Sequence, residues 1–222
     1  MTSYRFMELM GEIDEELIDS KEKTASKVYW RRWIALAACI TLVFTLGLAW
    51  YNGNTIELGS GDTVYFQWQI GPLSADKVFY EFDIRERDLT EAEVVALLDE
   101  IPVQGAMGVF NEEDQTLFQM EGKINDAVEL MVLADERYVP IRLMGVEDIK
   151  YTSEVNGVSV SAGYMMYNKR IVYYAICKLG NSTVYLESEG WWNEREAVRS
   201  KLTDALEAVI AHGAIDLNCV RM

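Results

Sequence analysis

The chain is poor in the residues that carry chemistry. Its 222 residues include one histidine, three cysteines and three prolines. His212 has no Ser/Cys–His–acid set and no metal-ligand spacing around it, so hydrolase triads and zinc sites are not expected. It falls in the last turn of a predicted helix, where a cation suits the helix dipole. Cys39, Cys177 and Cys219 form no CxxC and no metal spacing. Only the last two lie outside an apolar run, and whether they pair depends on a reach that sequence does not give. There is no Walker loop, dinucleotide fingerprint or zincin motif. "NEEDQ" (111–115) lacks the spaced Asp/Asn ladder and terminal Glu of an EF-hand loop, and reads as a solvated hairpin tip. Acid pairs such as Glu187/Glu189 could serve a glycosidase, but in a chain this acidic such pairs arise by chance. The expectation is a protein that is not an enzyme and holds no cofactor or metal.

Positive charge is also scarce. Lys and Arg number 20 against 36 Asp and Glu, a net charge of -16. A surface that acidic repels nucleic acid. The distribution matters more than the total. Residues 1–19 hold one base against six acids, and residues 20–32 hold five bases against one acid. Residues 33–51 hold no charge, and residues 52–222 hold 14 bases and 29 acids.

The uncharged run from Trp33 to Tyr51 is the longest apolar feature. Nineteen residues at about 1.5 Å each span roughly 28 Å, close to the hydrocarbon thickness of a bilayer. Trp30 and Trp33 flank one end, Trp50 and Tyr51 the other, as at membrane–water interfaces. Leu36-Ala37-Ala38-Cys39 imitates a lipoprotein processing box. Only six residues separate Arg32 from Cys39, and twelve more uncharged residues follow it. A cleaved signal needs a longer apolar stretch before its cut, so the reading is an uncleaved transmembrane helix over 33–51. All five bases of 20–32 lie on its N-terminal side, and the first base after it is Lys77. Flanking Lys and Arg stay cytoplasmic, which places 1–32 inside and the C-terminal part outside the cell membrane. Ala37, Thr41, Thr45 and Ala49 recur every fourth residue. Such a small-residue stripe lets two membrane helices approach, giving a candidate homodimer contact.

Residues 1–32 read as an amphipathic helix followed by a basic juxtamembrane stretch. Phe6, Leu9, Met10, Ile13 and Leu17 make one apolar stripe, with acids elsewhere. A lone helix must have that stripe covered. An acidic opposite face disfavours lipid, so a groove on a cytoplasmic protein partner is the sharper reading.

Residues 52–61, "NGNTIELGSG", read as a tether. Residues 62–222 read as an α+β domain: mostly antiparallel sheet with two helices on one face. Strand patterns are "DTVYFQWQI", "KVFYEFDIRE", "AMGVF", "TLFQMEGKI", "AVELMVLA", "YVPIRLMGV", "IKYTSEV", "VSVSAGYMM", "RIVYYAICKL" and "STVYLES". Asn156-Gly157 is a strong hairpin signal. "LTEAEVVALLDEI" (89–101) carries a capping box, Thr90 with Glu93, and is expected to stop at Pro102. "NEREAVRSKLTDALEAVIAHG" puts Val198, Leu202, Ala205, Leu206, Val209 and Ile210 on one face and ends at Gly213. Trp191-Trp192, at a strand–helix junction, either closes the edge of the core or stacks on a ligand.

Several stretches together resemble a group of single-pass membrane proteins of clostridia-like Gram-positive bacteria. They are the "IDxELI" helix core (Ile13 to Ile18), the "WxALAAC" span (Trp33 to Cys39), the "SEVNGVxVxAGY" hairpin (Ser153 to Tyr164) and the "YYAxxKLGxxxYxxE" pair (Tyr173 to Glu187). Some members of that group resemble membrane-bound anti-sigma factors. The resemblance implies a regulator that holds a sigma factor with its cytoplasmic segment and senses the envelope with its outer domain. Residues 1–32 contain no His and no Cys, so the zinc-containing form of that pattern is not implied. The alternative expectation is an envelope ligand- or peptide-binding protein that 1–51 merely anchors.

Overall fold

The computed structural model describes residues 33–47, 54–68, 82–99, 101–134 and 152–222. The chain divides into two units, Met1–Gly53 and Asn54–Met222. The expected partner-binding stripe, Phe6, Leu9, Met10, Ile13 and Leu17, lies outside the described residues, as does Ala49.

In the first unit, residues 33–47 form a helix, α1, and every side chain on it is exposed. Trp33, Ile34, Leu36, Ile40, Leu42, Val43, Phe44 and Leu46 all face outward. Two of the small-stripe residues turn their hydroxyls onto the helix itself: Thr41 Oγ1 donates to the Ala37 carbonyl at 2.8 Å and Thr45 Oγ1 to that of Leu42 at 3.0 Å. That leaves no unmet side-chain donor on this face, as an apolar surrounding requires. Among the described residues no helix is long and apolar enough to cross a membrane. The uncharged run continues to Tyr51, and its last four residues lie outside the description.

The second unit is α+β, built on a mixed ten-stranded sheet. Its described strands are β1 (Thr55–Glu57), β2 (Thr63–Trp68), β3 (Ile84–Asp88), β4 (Val103–Asn111), β5 (Leu117–Ile124), β6 (Val128–Leu133), β7 (Ser153–Val155), β8 (Val158–Tyr167), β9 (Arg170–Leu179) and β10 (Ser182–Trp191). The order is β1-β2-β8-β9-β10-β6-β5-β4-β3, with β7 beside β8. One described pairing is parallel, β2 on β8, with Phe66 opposite Ala162 and Trp68 opposite Tyr164. β9 sits between β8 and β10 and is buried on both faces, as its nearly unbroken apolar sequence requires. Asn156 and Gly157 both take positive φ, 49° and 76°, the geometry of a two-residue hairpin turn matched to strand twist. "YVPIRLMGV" lies outside the described residues.

Two helices complete the unit, α2 (Glu91–Leu98) and α3 (Arg195–His212). The expected face of α3 is the buried one: Val198, Leu202, Ala205, Leu206, Val209 and Ile210 join one core with Val184, Leu186, Ala175 and Cys177 of the sheet. Leu97 and Leu98 of α2 enter the same core. Helix α3 begins where β10 ends and finishes at Gly213, whose φ of 88° breaks it. Its C-terminal end lies by the β9–β10 turn, where Ser182 Oγ donates to the Ile215 carbonyl at 2.8 Å.

Three expectations need correction. The tether over 52–61 is not one: Thr55–Glu57 is strand β1, registered on β2 from Thr55–Tyr65 to Glu57–Thr63, and Leu58 is buried. Thr-Ile-Glu carries a short strand pattern that Gly and Asn on either side conceal. Of the strand expected over 77–86, residues 77–81 lie outside the described residues, Phe82 and Asp83 are not strand, and β3 runs Ile84–Asp88, two residues past the expected end. Helix α2 ends before Pro102, at Asp99, whose φ of 48° leaves the helical region and whose N–H still closes on the Val95 carbonyl at 2.8 Å.

The capping box of α2 is formed as expected. Glu93 N–H donates to Thr90 Oγ1, and Thr90 N–H donates to Glu93 Oε2 at 2.8 Å. The Arg87 guanidinium clamps the same carboxylate at 2.9 and 2.7 Å. That pairing, first, and the Thr90 N–H, second, pull the Glu93 carboxyl down to about 2. A depressed carboxyl stabilises the fold above its ordinary range and loses that contribution as pH falls through the folded value. Both partners are partly exposed, so the contribution is small. Glu93→Gln keeps a capping side chain and removes the charge. It is expected to cost about 1 kcal/mol at pH 7, with the gap to wild type narrowing as pH drops from about 4.5 toward 2. Urea melts across that range check it; a gap independent of pH would refute the charge assignment.

Candidate functional site

Among the described residues of the second unit, the exposed aromatic side chains gather at one end of the sheet. β8 turns into β9 through Asn168 and Lys169, which take φ of 47° and 66°. Cross-strand register then lines up Tyr167, Arg170 and Trp191 in a row over β8, β9 and β10. Trp192 begins the 3-10 turn Trp192–Glu194 that leads into α3, and its N–H donates to the Lys169 carbonyl at 2.9 Å. Trp68, the last residue of β2, stands opposite Tyr164 at the same end. Trp191 is 52 % exposed and Trp192 41 %, so neither closes the core. Trp68, Met166 and Tyr167 are exposed as well.

Trp191 and Trp192 are each paired with a cation. The Arg170 guanidinium lies 5.4 Å from the Trp191 ring and that of Arg195 lies 4.8 Å from the Trp192 ring. Such pairs stabilise by about 0.5–1 kcal/mol at exposed sites and hold the rings in place. Glu189 organises the row. It takes an ion pair from Arg170 Nε at 2.5 Å and a hydrogen bond from the Tyr167 hydroxyl. That hydrogen bond raises the Tyr167 hydroxyl above its ordinary range. The acid pair Glu187/Glu189 is thus split between structural tasks, because Glu187, which is buried, accepts from the Tyr185 hydroxyl.

Next along the same face, Tyr174 is fully buried, and a Cβ added at Gly163 would sit 2.5 Å from its hydroxyl. The glycine leaves the room that this ring fills. The Tyr174 hydroxyl has no hydrogen-bond partner among the described residues, and burial pushes its pKa up.

No family model matches the chain, and no curated protein or solved structure matches it.

The remaining sequence candidates fall in structural places. Cys177 is buried in the core, where burial pushes its thiol up to about 12, and Cys219 is exposed beside the Ala96 carbonyl. All three cysteines are free thiols. Two "NEEDQ" side chains serve their own turn: Asn111 Oδ1 accepts from Glu113 N–H at 2.9 Å and Asp114 Oδ1 from the Thr116 hydroxyl at 2.6 Å. Among the described residues no three His, Cys, Asp or Glu side chains are grouped to hold a metal. Sequence reasoning found Trp191 and Trp192 but missed Trp68, Met166, Tyr167, Arg170 and Arg195. Tyr167 and Arg170 were legible in principle, as the residues flanking an Asn-Lys turn. Trp68 was not, because its place comes from a long-range parallel pairing.

Proposed function

We propose that the chain is a single-pass membrane regulator of anti-sigma type. Residues 1–32 dock a cytoplasmic protein such as a sigma factor, the run 33–51 crosses the membrane, and the α+β unit stands outside and reads the envelope. The observation that carries this reading is the uncharged run itself. Its described part is helical with every side chain outward, five bases precede it within 13 residues, and no base follows it before Lys77. An exposed all-apolar helix surface is costly in water and favourable in lipid. The stripe Phe6, Leu9, Met10, Ile13 and Leu17 supplies the docking face, since so short a helix is marginal in water without a partner.

A crosslinking pull-down from membranes tests this, with tagged wild type beside Leu9→Asp/Ile13→Asp. A cytoplasmic protein is expected whose capture falls about tenfold or more in the variant, since each Asp would be forced into an apolar contact. If both forms capture the same set, the regulator reading fails. The second reading, a membrane-anchored envelope ligand- or peptide-binding protein without cytoplasmic signalling, is favoured by the exposure of Trp191 and Trp192. On that reading an unrelated basic anchor replaces 1–51 without loss.

A further inference from the structure

The aromatic end of the sheet is also the end at which β1 begins. β1 is antiparallel to β2, and β2 is parallel to β8. β1 therefore runs away from the β8–β9 turn. Asn54, the first residue of the unit, is buried there, and its Nδ2 has no hydrogen-bond partner among the described residues. Tyr164 is the residue opposite Trp68.

The composition of this end differs from the rest of the unit. Residues 52–222 carry about twice as many acids as bases. Around the β8–β9 turn and the start of α3, Lys169, Arg170, Arg195 and Arg199 meet Glu189, Glu194 and Glu196. Among these described residues four bases meet three acids, where the unit as a whole is strongly negative. Three tryptophans, a tyrosine and a methionine are exposed among those charges. Trp and Tyr with Arg and Lys are the side chains that settle at the headgroup level of a bilayer, the rings in the interface and the cations on phosphate.

We propose that this end of the sheet, Trp68, Met166, Tyr167, Trp191 and Trp192 with Lys169, Arg170 and Arg195, docks on a lipid surface. The occupant is the phospholipid headgroup layer, and the unit stands end-on upon it. The acidic remainder of the unit is held off by anionic lipid, which sharpens the orientation. The opposite end, at the Gly180-Asn181 turn, then stands about 30 Å above the surface, the length of β9 at roughly 3.3 Å per residue. This proposal rests on the membrane-anchor reading of 33–51.

The test uses the full chain reconstituted into phosphatidylcholine vesicles, with and without phosphatidylglycerol, and an environment-sensitive fluorophore on one cysteine at a time. The sites are Cys39 in the apolar run, Met166→Cys and Asn193→Cys at the aromatic end, and Asn181→Cys at the far end. Cys219→Ser is made throughout and Cys39→Ala in all but the first; Cys177 is buried and stays unlabelled. Headgroup-level nitroxide lipid is expected to quench the labels at 166 and 193 about threefold or more over the label at 181, while chain-level nitroxide quenches Cys39. Quenching at Cys39 with 166 and 193 no higher than 181 would overturn the docking and leave the anchor standing; the aromatic end would then be open to a soluble ligand. Equal strong quenching at 181 would overturn the end-on orientation. No quenching at Cys39 would remove the anchor, and the docking with it. Two labels at the aromatic end guard against a single variant that fails to fold.

Discussion

Leu206→Ala is expected to destabilise the Asn54–Met222 unit by about 3–4 kcal/mol, lowering its melting temperature by roughly 6–12 °C. Leu206 is fully buried in α3, in the core shared with β9 and β10. Removing three carbons there takes away their transfer free energy and leaves a cavity that a helix held along its length cannot close. The flanking position gives the control. Lys201 is exposed on the same helix, and Lys201→Ala should stay within about 0.5 kcal/mol of wild type. Thermal melts of the full chain in detergent, followed by near-ultraviolet circular dichroism, report on tertiary packing directly. Equal effects for the two variants would mean that α3 is not seated on the sheet as described.

The second large effect belongs to Gly190. A Cβ at this position in β10 would lie 2.4 Å from Cγ2 of Val198, closer than two carbons can approach. The glycine sets how near the first turn of α3 comes to the strand. Gly190→Ala is therefore expected to cost about 2–3 kcal/mol even though alanine suits a strand better than glycine. Val198→Ala removes the obstructing methyl groups at a cost of its own. The double variant should then be more stable than the sum of the two single losses by about 1 kcal/mol or more, as contacting residues couple. Urea midpoints for the four proteins measure that difference. Strict additivity would show that the strain lies elsewhere.

The two positions differ in how readable they were. Leu206 belongs to a helix period written in the sequence, Val198, Leu202, Ala205, Leu206, Val209 and Ile210, and all six are buried. The same is true of the Thr90–Glu93 capping box and of Asn156-Gly157, where local chemistry alone fixes the backbone. Gly190 could not be read, because "ESEGWW" does not say which helix will approach it. β1 was missed for a related reason: its three-residue pattern is too short to stand out between Asn54 and Gly59, and what makes it a strand is its partner β2. The aromatic end combines both cases. Trp191 and Trp192 announced themselves by composition, but whether they closed a core or faced outward depended on where α3 leaves the sheet. Their association with Trp68 depended on a strand that reaches β8 from far away in sequence.

That distant pairing governs the order in which the unit can form. Tyr65 N–H donates to the Ser153 hydroxyl, 88 positions further along the chain, at 2.9 Å, and β2 finds its place only against β8. The hairpins β8–β9, β9–β10 and β4–β5 close locally, whereas β1 and β2 must await a partner far along the chain. A chain that emerges N-terminus first therefore exposes Val64 and Phe66, both fully buried in the end, for the whole time that the next ninety or so residues take to appear. The first strands to arrive are the last to fold, and the interval is a window in which a binding chaperone or a neighbouring copy competes with β8 for the same edge.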